Sequence, residues 1–141
     1  KKIKQKNKVA KVHEKIANSR KDYLHKTSHQ IANEVDGVCV EDLNMQAMSK
    51  SMHFGKSVHD NGYGMFLTLL SYKLENKGKK LIRVDKFYPS SKTCSCCGYI
   101  NKELQLSDRI YECPQCGMIL DRDYNASINI KKEGMRLASI Y

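Results

Sequence analysis

The sequence predicts an α/β fold carrying a small four-cysteine zinc ribbon, and three observations predict it. One is a lysine-rich segment over 1–33 whose apolar residues recur at helical steps. Another is a pair of short apolar runs, VDGVCVE at 35–41 and LIRVDKF at 81–87, on either side of a second amphipathic segment. The last is a pair of C-x2-C knuckles, Cys94 with Cys97 and Cys113 with Cys116, separated by fifteen residues.

The first segment reads as one long helix. Val9, Val12, Ile16, Tyr23, Thr27 and Ile31 fall at steps of three, four and seven and make one apolar stripe. Lys1, Lys2, Lys4, Lys6, Lys8, Lys11, Lys15, Arg20, Lys21 and Lys26 stand against only Glu14 and Asp22 in the first 26 residues. A solvated face usually mixes both signs, so this bias reads as a ridge that tracks phosphates. Lys4, Lys8, Lys11, Lys15 and Arg20 are its candidate contacts. His25 and His29, four apart with no carboxylate beside them, read as a solvated pair opposite the apolar stripe.

Branched apolar residues at 35–41 predict a buried strand, with Cys39 as an apolar filler. Glu41 closes it and Asp42 follows. Residues 44–60 show no period and are expected to be a mobile loop, with Met45, Met48 and Met52 packed loosely beneath it. A helix over 63–76 presents Tyr63, Phe66, Leu67, Leu70 and Leu74 on one face, and a second strand occupies 81–87. Strand, helix and strand in that order predict a βαβ unit with two parallel strands. Pro89 and the Ser90–Ser91 pair close the second strand and lead into the ribbon, and a last helix starts near Asp123. Gly98 and Gly117 end the two knuckles, where the chain must turn tightly. The resulting segments are 1–91, 92–119 and 120–141.

With 141 residues, a formal charge of +10 and 40% hydrophobic residues, the chain has room for one domain with a metal-held insert. Four thiolates and one zinc ion would leave about +8, still enough to predict a polyanionic partner. No apolar run approaches the ~20 residues of a membrane span. The lysine-rich start is not a signal peptide, because no apolar segment follows it. Six cysteines in such a chain predict reduced thiols and metal instead of disulfides. The chain opens at Lys1 in what reads as mid-helix, and is expected to be a piece of a longer protein.

Glu41 and Asp123 are the candidate catalytic pair. Ligands of open α/β sheets gather beyond the carboxyl ends of the strands, and Glu41 lies at such an end. Two carboxylates brought together need a cation between them, here Mg²⁺. A pair of such ions clamps the attacking and leaving oxygens of a phosphodiester. Asp42, Asp121 and Asp123 fit the role of helix cap equally well, and pattern alone leaves both readings open. Arg109, Arg122, Lys92 and Lys102 are candidates for phosphate contact from the ribbon side. Tyr88 and Tyr99 suit base stacking or core packing. Cys96, one residue from Cys97, is not expected to be a fifth ligand.

EDLN at 41–44, FYPSSKTCSCCGYINKELQLSDR at 87–109, ECPQCG at 112–117 and DRDYNASINI at 121–130 resemble the OrfB/TnpB family of insertion-sequence proteins. HEKIANSRKDYLHK in the basic helix extends the likeness over nearly the whole chain. The resemblance implies a transposon-encoded, RNA-guided DNA endonuclease with a RuvC-type, RNase H-like domain and a zinc-ribbon insert. It implies Glu41 and Asp123 as the second and third catalytic acids and Mg²⁺ ligands. It implies Cys94, Cys97, Cys113 and Cys116 as ligands of a structural zinc. DNA and a guide RNA are the implied partners, in a prokaryotic cytoplasm close to the nucleoid and without a membrane. Asn125 matches the family position beside the third acid, while Ser127 replaces a more usual Ala.

The family's first catalytic Asp, on an early strand, has no counterpart here, and Asp36, Asp60 and Asp85 are in the wrong topological places to replace it. The expectation is a partial RuvC-like fold, inactive without the N-terminal part of the same protein. The alternative is a non-catalytic zinc-ribbon module that binds nucleic acid.

Overall fold

The lysine-rich segment forms a single 33-residue helix, α1 (Lys2–Glu34), in the computed structural model of the chain, which describes residues 1–43 and 62–139. At ~1.5 Å per residue it is roughly 50 Å long. After it come β1 (Gly37–Glu41), α2 (Tyr63–Glu75), β2 (Lys80–Val84), β3 (Ile110–Glu112), β4 (Ile119–Asp121) and α3 (Arg122–Ala138). The expected loop over 44–60, its three methionines and Asp60 lie outside the described residues.

The chain divides into two compact units. The described part of the first, 1–37 and 62–80, contains α1 and α2; that of the second, 38–43 and 81–139, contains most of β1 and β2, the ribbon and α3.

In the first unit, α2 buries Leu67, Leu69, Leu70 and Leu74, and α1 buries Leu24, Ser28 and Ala32. Ser28 and Ala32 are small, which lets the helix backbones approach. Two lysines then fasten the pair through main-chain carbonyls of α1. Lys73 Nζ donates to the His25 carbonyl at 2.6 Å and to Ser28 Oγ at 2.8 Å. Lys79 Nζ donates to the Ala32 carbonyl at 2.8 Å. His25 therefore differs from the solvated residue expected: it is half-buried, with Nδ1 3.5 Å from Lys73 Nζ. His29 is exposed and meets Asn33 at 3.1 Å.

The apolar stripe is the larger departure. Val9, Val12, Ile16 and Tyr23 are all more than half exposed, from 51% at Ile16 to 67% at Tyr23. The reason is length. A 13-residue α2 spans roughly 20 Å and covers only the last third of α1.

In the second unit, β1 and β2 form a two-stranded sheet, extended where the Asp42 N–H donates to the Val84 carbonyl at 2.8 Å. Half-buried Cys39 packs against Gly134 of α3, where a Cβ would stand 2.7 Å from the Cys39 Cβ. Asp85 closes its own turn by accepting from the Phe87 N–H at 2.7 Å. The ribbon is built on the antiparallel pair β3–β4, with Tyr111 opposite Leu120. A bridge between Thr93 and Ile100 joins the ends of the first knuckle. Its core is Cys94, Tyr111 and Cys113, flanked by Leu104 and Met118.

Candidate metal centre and nucleic-acid surface

The two knuckles repeat one local geometry. In the first, Gly98 N–H donates to the Cys94 carbonyl at 2.9 Å and Cys94 N–H to the Tyr99 carbonyl at 2.8 Å. In the second, Gly117 N–H donates to the Cys113 carbonyl and Cys113 N–H to the Met118 carbonyl, each at 2.9 Å. Gly98 and Gly117 sit at φ of 80° and 75°, a left-handed conformation that costs residues with a Cβ. The turn also aims backbone amides at sulfur: Cys97 N–H lies 3.5 Å from Cys94 Sγ, and Cys116 N–H lies 3.5 Å from Cys113 Sγ.

Facing knuckles bring the sulfurs of Cys94, Cys97, Cys113 and Cys116 within 4.8 Å of one another. The Cys94–Cys116 and Cys97–Cys113 separations are both 3.6 Å. That is far too long for a disulfide, at ~2.05 Å, and close to the ~3.8 Å edge of a tetrahedron with Zn–S bonds of ~2.3 Å. The donor set thus fits a zinc ion. The proton chemistry agrees. Burial opposes ionisation of Cys113, yet the N–H groups of Cys116 and Gln115 and the neighbouring thiols outweigh it and draw its thiol down to about 6. Cys116 is pushed up to about 12: the Met118 N–H favours its thiolate, but burial and the neighbouring thiols prevail. Four such groups shed their protons together only around a cation. Cys96 is exposed and stands outside the quartet.

Tyr111 supports the quartet from below. It is fully buried, and its hydroxyl lies 3.0 Å from the Lys92 carbonyl and 3.2 Å from the Tyr99 carbonyl. Burial, and then the negative charge of the thiolates, lift its phenol to about 12.

α3 is joined to this ribbon by two buried asparagines one turn apart. Asn125 Oδ1 accepts from the Ser95 N–H at 2.9 Å, inside the first knuckle, and its Nδ2 donates to the Thr93 carbonyl at 2.7 Å. Asn129 Nδ2 donates to the same Thr93 carbonyl at 2.7 Å and to that of Ser90 at 2.8 Å. Lys132 Nζ adds a bond to the Ser95 carbonyl. Neither Asn129 nor Lys132 stands out in the sequence as a site residue. The available signal was polar residues at four- and three-residue steps on the helix face that should have been apolar.

At the start of α3, Asp121 is the cap: its Oδ1 accepts from the Tyr124 N–H at 3.0 Å. That leaves Asp123 uncommitted to capping, in the first turn, its side chain 80% exposed, with Oδ1 3.8 Å from Arg122 Nε. Glu41 ends β1 with its carboxyl held above the ordinary range by burial. Both acids belong to the second unit, and among the described residues neither is part of a converging group of three or more metal donors.

The basic candidates divide. Lys4, Lys8, Lys11, Lys15 and Arg20 are exposed on α1, and Arg109 is exposed on the ribbon. Arg122 is committed inward, its side chain only 17% exposed and Nη1 donating to the Leu106 carbonyl at 2.6 Å. Lys92 is likewise engaged with the Lys102 carbonyl at 3.2 Å. No helix among the described residues is long and apolar enough to cross a membrane.

Residues 1–52 match a family described as "Probable transposase", and residues 63–130 match one described as "Cas12f1-like, TNB domain". Over 132 residues the chain is 36% identical to a protein of Streptomyces pristinaespiralis named "Putative RNA-guided DNA endonuclease", covering 94% of this chain and 33% of that one. It is 36% identical over 134 residues to the TnpB-like protein L79 of Acanthamoeba polyphaga mimivirus, covering 91% of this chain and 25% of that one. The chain therefore spans a third or less of the length of these relatives. A cryo-EM structure of a Cas12f1–sgRNA–target DNA complex superimposes on it with a TM-score of 0.65 at 26% identity, covering 84% of this chain and 35% of that one.

Proposed function

Because the chain belongs to the OrfB/TnpB family, we propose that it forms part of an RNA-guided, Mg²⁺-dependent DNA endonuclease. In this reading it supplies a portion of a RuvC-like domain, with Cys94, Cys97, Cys113 and Cys116 holding a structural zinc. Glu41 and Asp123 are two of the Mg²⁺ ligands. The observation that carries the reading is the joint made by Asn125. One buried side chain fastens the first knuckle of the quartet to the helix whose first turn bears Asp123. The ribbon thereby serves as a clamp for an acidic helix start, and a zinc ion there would cross-link the two knuckles. Segments 1–91, 92–119 and 120–141 then correspond to the basic helix with paired strands, the metal insert and the acid-bearing helix.

DNA and a guide RNA are the proposed partners, held by the exposed lysines of α1 through the phosphate backbone while base pairing supplies sequence specificity. Two acids fall short of a two-metal centre, so hydrolysis is not expected of these 141 residues by themselves. The zinc-loaded chain should bind single-stranded DNA with a steep loss of affinity as salt rises. Lys8→Glu with Lys11→Glu should flatten that slope by about 0.7 per lost phosphate contact. Mg²⁺ should give no cleavage above that of Glu41→Gln. Cleavage that vanishes in Glu41→Gln would mean that another acid completes the site and would overturn the expectation of inactivity, and salt-insensitive binding would overturn the phosphate-tracking role of α1.

The non-catalytic alternative has one observation in its favour: the only converging set of three or more metal donors among the described residues is the cysteine quartet. Supplying the remainder of the endonuclease in trans separates the two readings. Activity that appears on mixing and is lost with Asp123→Asn supports the enzyme; activity indifferent to that substitution supports the binding module.

A further inference from the structure

A cleft between α1 and α2, within the first unit, is untouched by the functions assigned so far. It is an open groove of about 330 Å³ lined by Tyr23, Leu24, Thr27, Gly62, Tyr63 and Phe66. That volume lies at the small end of the ~300–1,000 Å³ typical of ligand sites and suits one planar ring system. Gly62 shapes it: φ is +76°, and a Cβ there would stand 2.9 Å from Leu24 Cδ1, so a side chain at 62 would displace part of the lining. Two tyrosines and a phenylalanine contribute to the walls, and among the described residues no acid does.

The surroundings are cationic. Arg20 runs its methylenes past Gly62, Cδ lying 3.4 Å from the position a Cβ would take, so a cationic side chain passes beside the cleft. Lys15 and Lys21 lie within two turns of it on the same helix. Asp22, the acid nearest in sequence, is already paired with Lys26 at 2.7 Å. Tyr23 stays 67% exposed, so its ring is reachable from solvent.

We propose that this cleft takes an unpaired nucleobase from a single-stranded stretch of nucleic acid whose phosphates run along the lysine ridge of α1. Aromatic faces stack on any base, and a flanking line of cations tracks the strand. A duplex keeps its bases stacked inside and offers nothing to the cleft. An apolar peptide side chain would match the volume but gives no use to the cationic rim. The proposal rests on the reading of α1 as a phosphate-binding ridge.

The test titrates the zinc-loaded chain into two fluorescent strands of about twelve nucleotides, within the ~4–16 nucleotide footprint of small single-strand sites. One is oligothymidylate, and the other is abasic with the same number of phosphates. Stacking of one base predicts affinity about five- to hundredfold higher for the strand that has bases. Tyr23→Ala should erase that gap while leaving abasic binding and its salt slope unchanged, and Tyr23→Phe should keep the gap. Thr27→Leu, which fills the cleft instead of emptying it, should also erase the gap and covers the case in which Tyr23→Ala loosens α1. Equal affinity for the two strands, or a gap that survives Tyr23→Ala and Thr27→Leu, overturns the cleft assignment alone. Failure to bind either strand overturns the ridge reading and the cleft with it.

Discussion

Replacing Asn125 by alanine removes the link between the first knuckle and α3, and its cost follows from the partners. Asn125 is fully buried, and Ser95, whose N–H it accepts at 2.9 Å, is 9% exposed. Alanine leaves that N–H without an acceptor, which costs about 1–3 kcal/mol. The Thr93 carbonyl suffers less, because Asn129 Nδ2 still reaches it at 2.7 Å; losing one of two donors is worth about 0.5–1.5 kcal/mol. The expected total is about 2–4 kcal/mol, read by urea denaturation of the zinc-loaded chain with circular dichroism. Asn125→Asp sharpens the test. It keeps an acceptor for Ser95 but turns the donor facing the Thr93 carbonyl into an anionic oxygen, so it should be at least as harmful near neutral pH. Asn129→Ala combined with Asn125→Ala should cost more than the sum of the two, by about 0.5 kcal/mol or more, since the pair shares one carbonyl. A loss below about 0.5 kcal/mol for Asn125→Ala, or an unperturbed Asn125→Asp, would refute the account of the joint.

Three further outcomes are expected. Cys113→Ser should abolish stoichiometric zinc binding and unfold the ribbon, as should chelation of the native chain; a variant retaining one zinc per chain by elemental analysis would remove Cys113 from the ligand set. Gly134→Ala should lower the melting temperature, because crowding against Cys39, at about 1–3 kcal/mol, outweighs the ~1 kcal/mol gained in helix propensity, and Cys39→Ala should recover part of the loss. Burial raises the Glu41 carboxyl, so its charged form is disfavoured in the fold and destabilises the chain once pH passes the ordinary carboxylate range. Glu41→Gln should therefore raise the melting temperature at neutral pH and leave it unchanged at about pH 3, whereas destabilisation at neutral pH would contradict the burial argument.

The candidate site was legible in the sequence to the extent that its residues are chain neighbours. C-x2-C-G dictates a knuckle because the turn, the glycine and the amides that approach sulfur all lie within five residues. Asp121 and Asp123 were both visible as cap or ligand, and one hydrogen bond assigns the cap to Asp121. Arg122 reads from the sequence as a candidate phosphate contact, but its guanidinium is bonded to the Leu106 carbonyl, sixteen residues away. The apolar stripe on α1 was a sound periodic signal, but periodicity reports which residues share a face and not whether anything covers it. Thr27 and Ile31 at its C-terminal end are half-buried, whereas Val9, Val12, Ile16 and Tyr23 meet solvent.

By itself the sequence determined the long basic helix, the two short strands before the ribbon, the pairing of four cysteines across fifteen residues and the resemblance to the OrfB/TnpB family. These rest on local periods and on ligand spacing, which neighbouring residues set among themselves. Only the tertiary structure decided which part of α1 is covered, that a cleft with three aromatic residues opens beside Arg20, and that Asn125 and Asn129 share the Thr93 carbonyl. Such contacts join residues more than thirty positions apart. Their existence depends on how the helices and the ribbon pack, and no spacing along the chain encodes it.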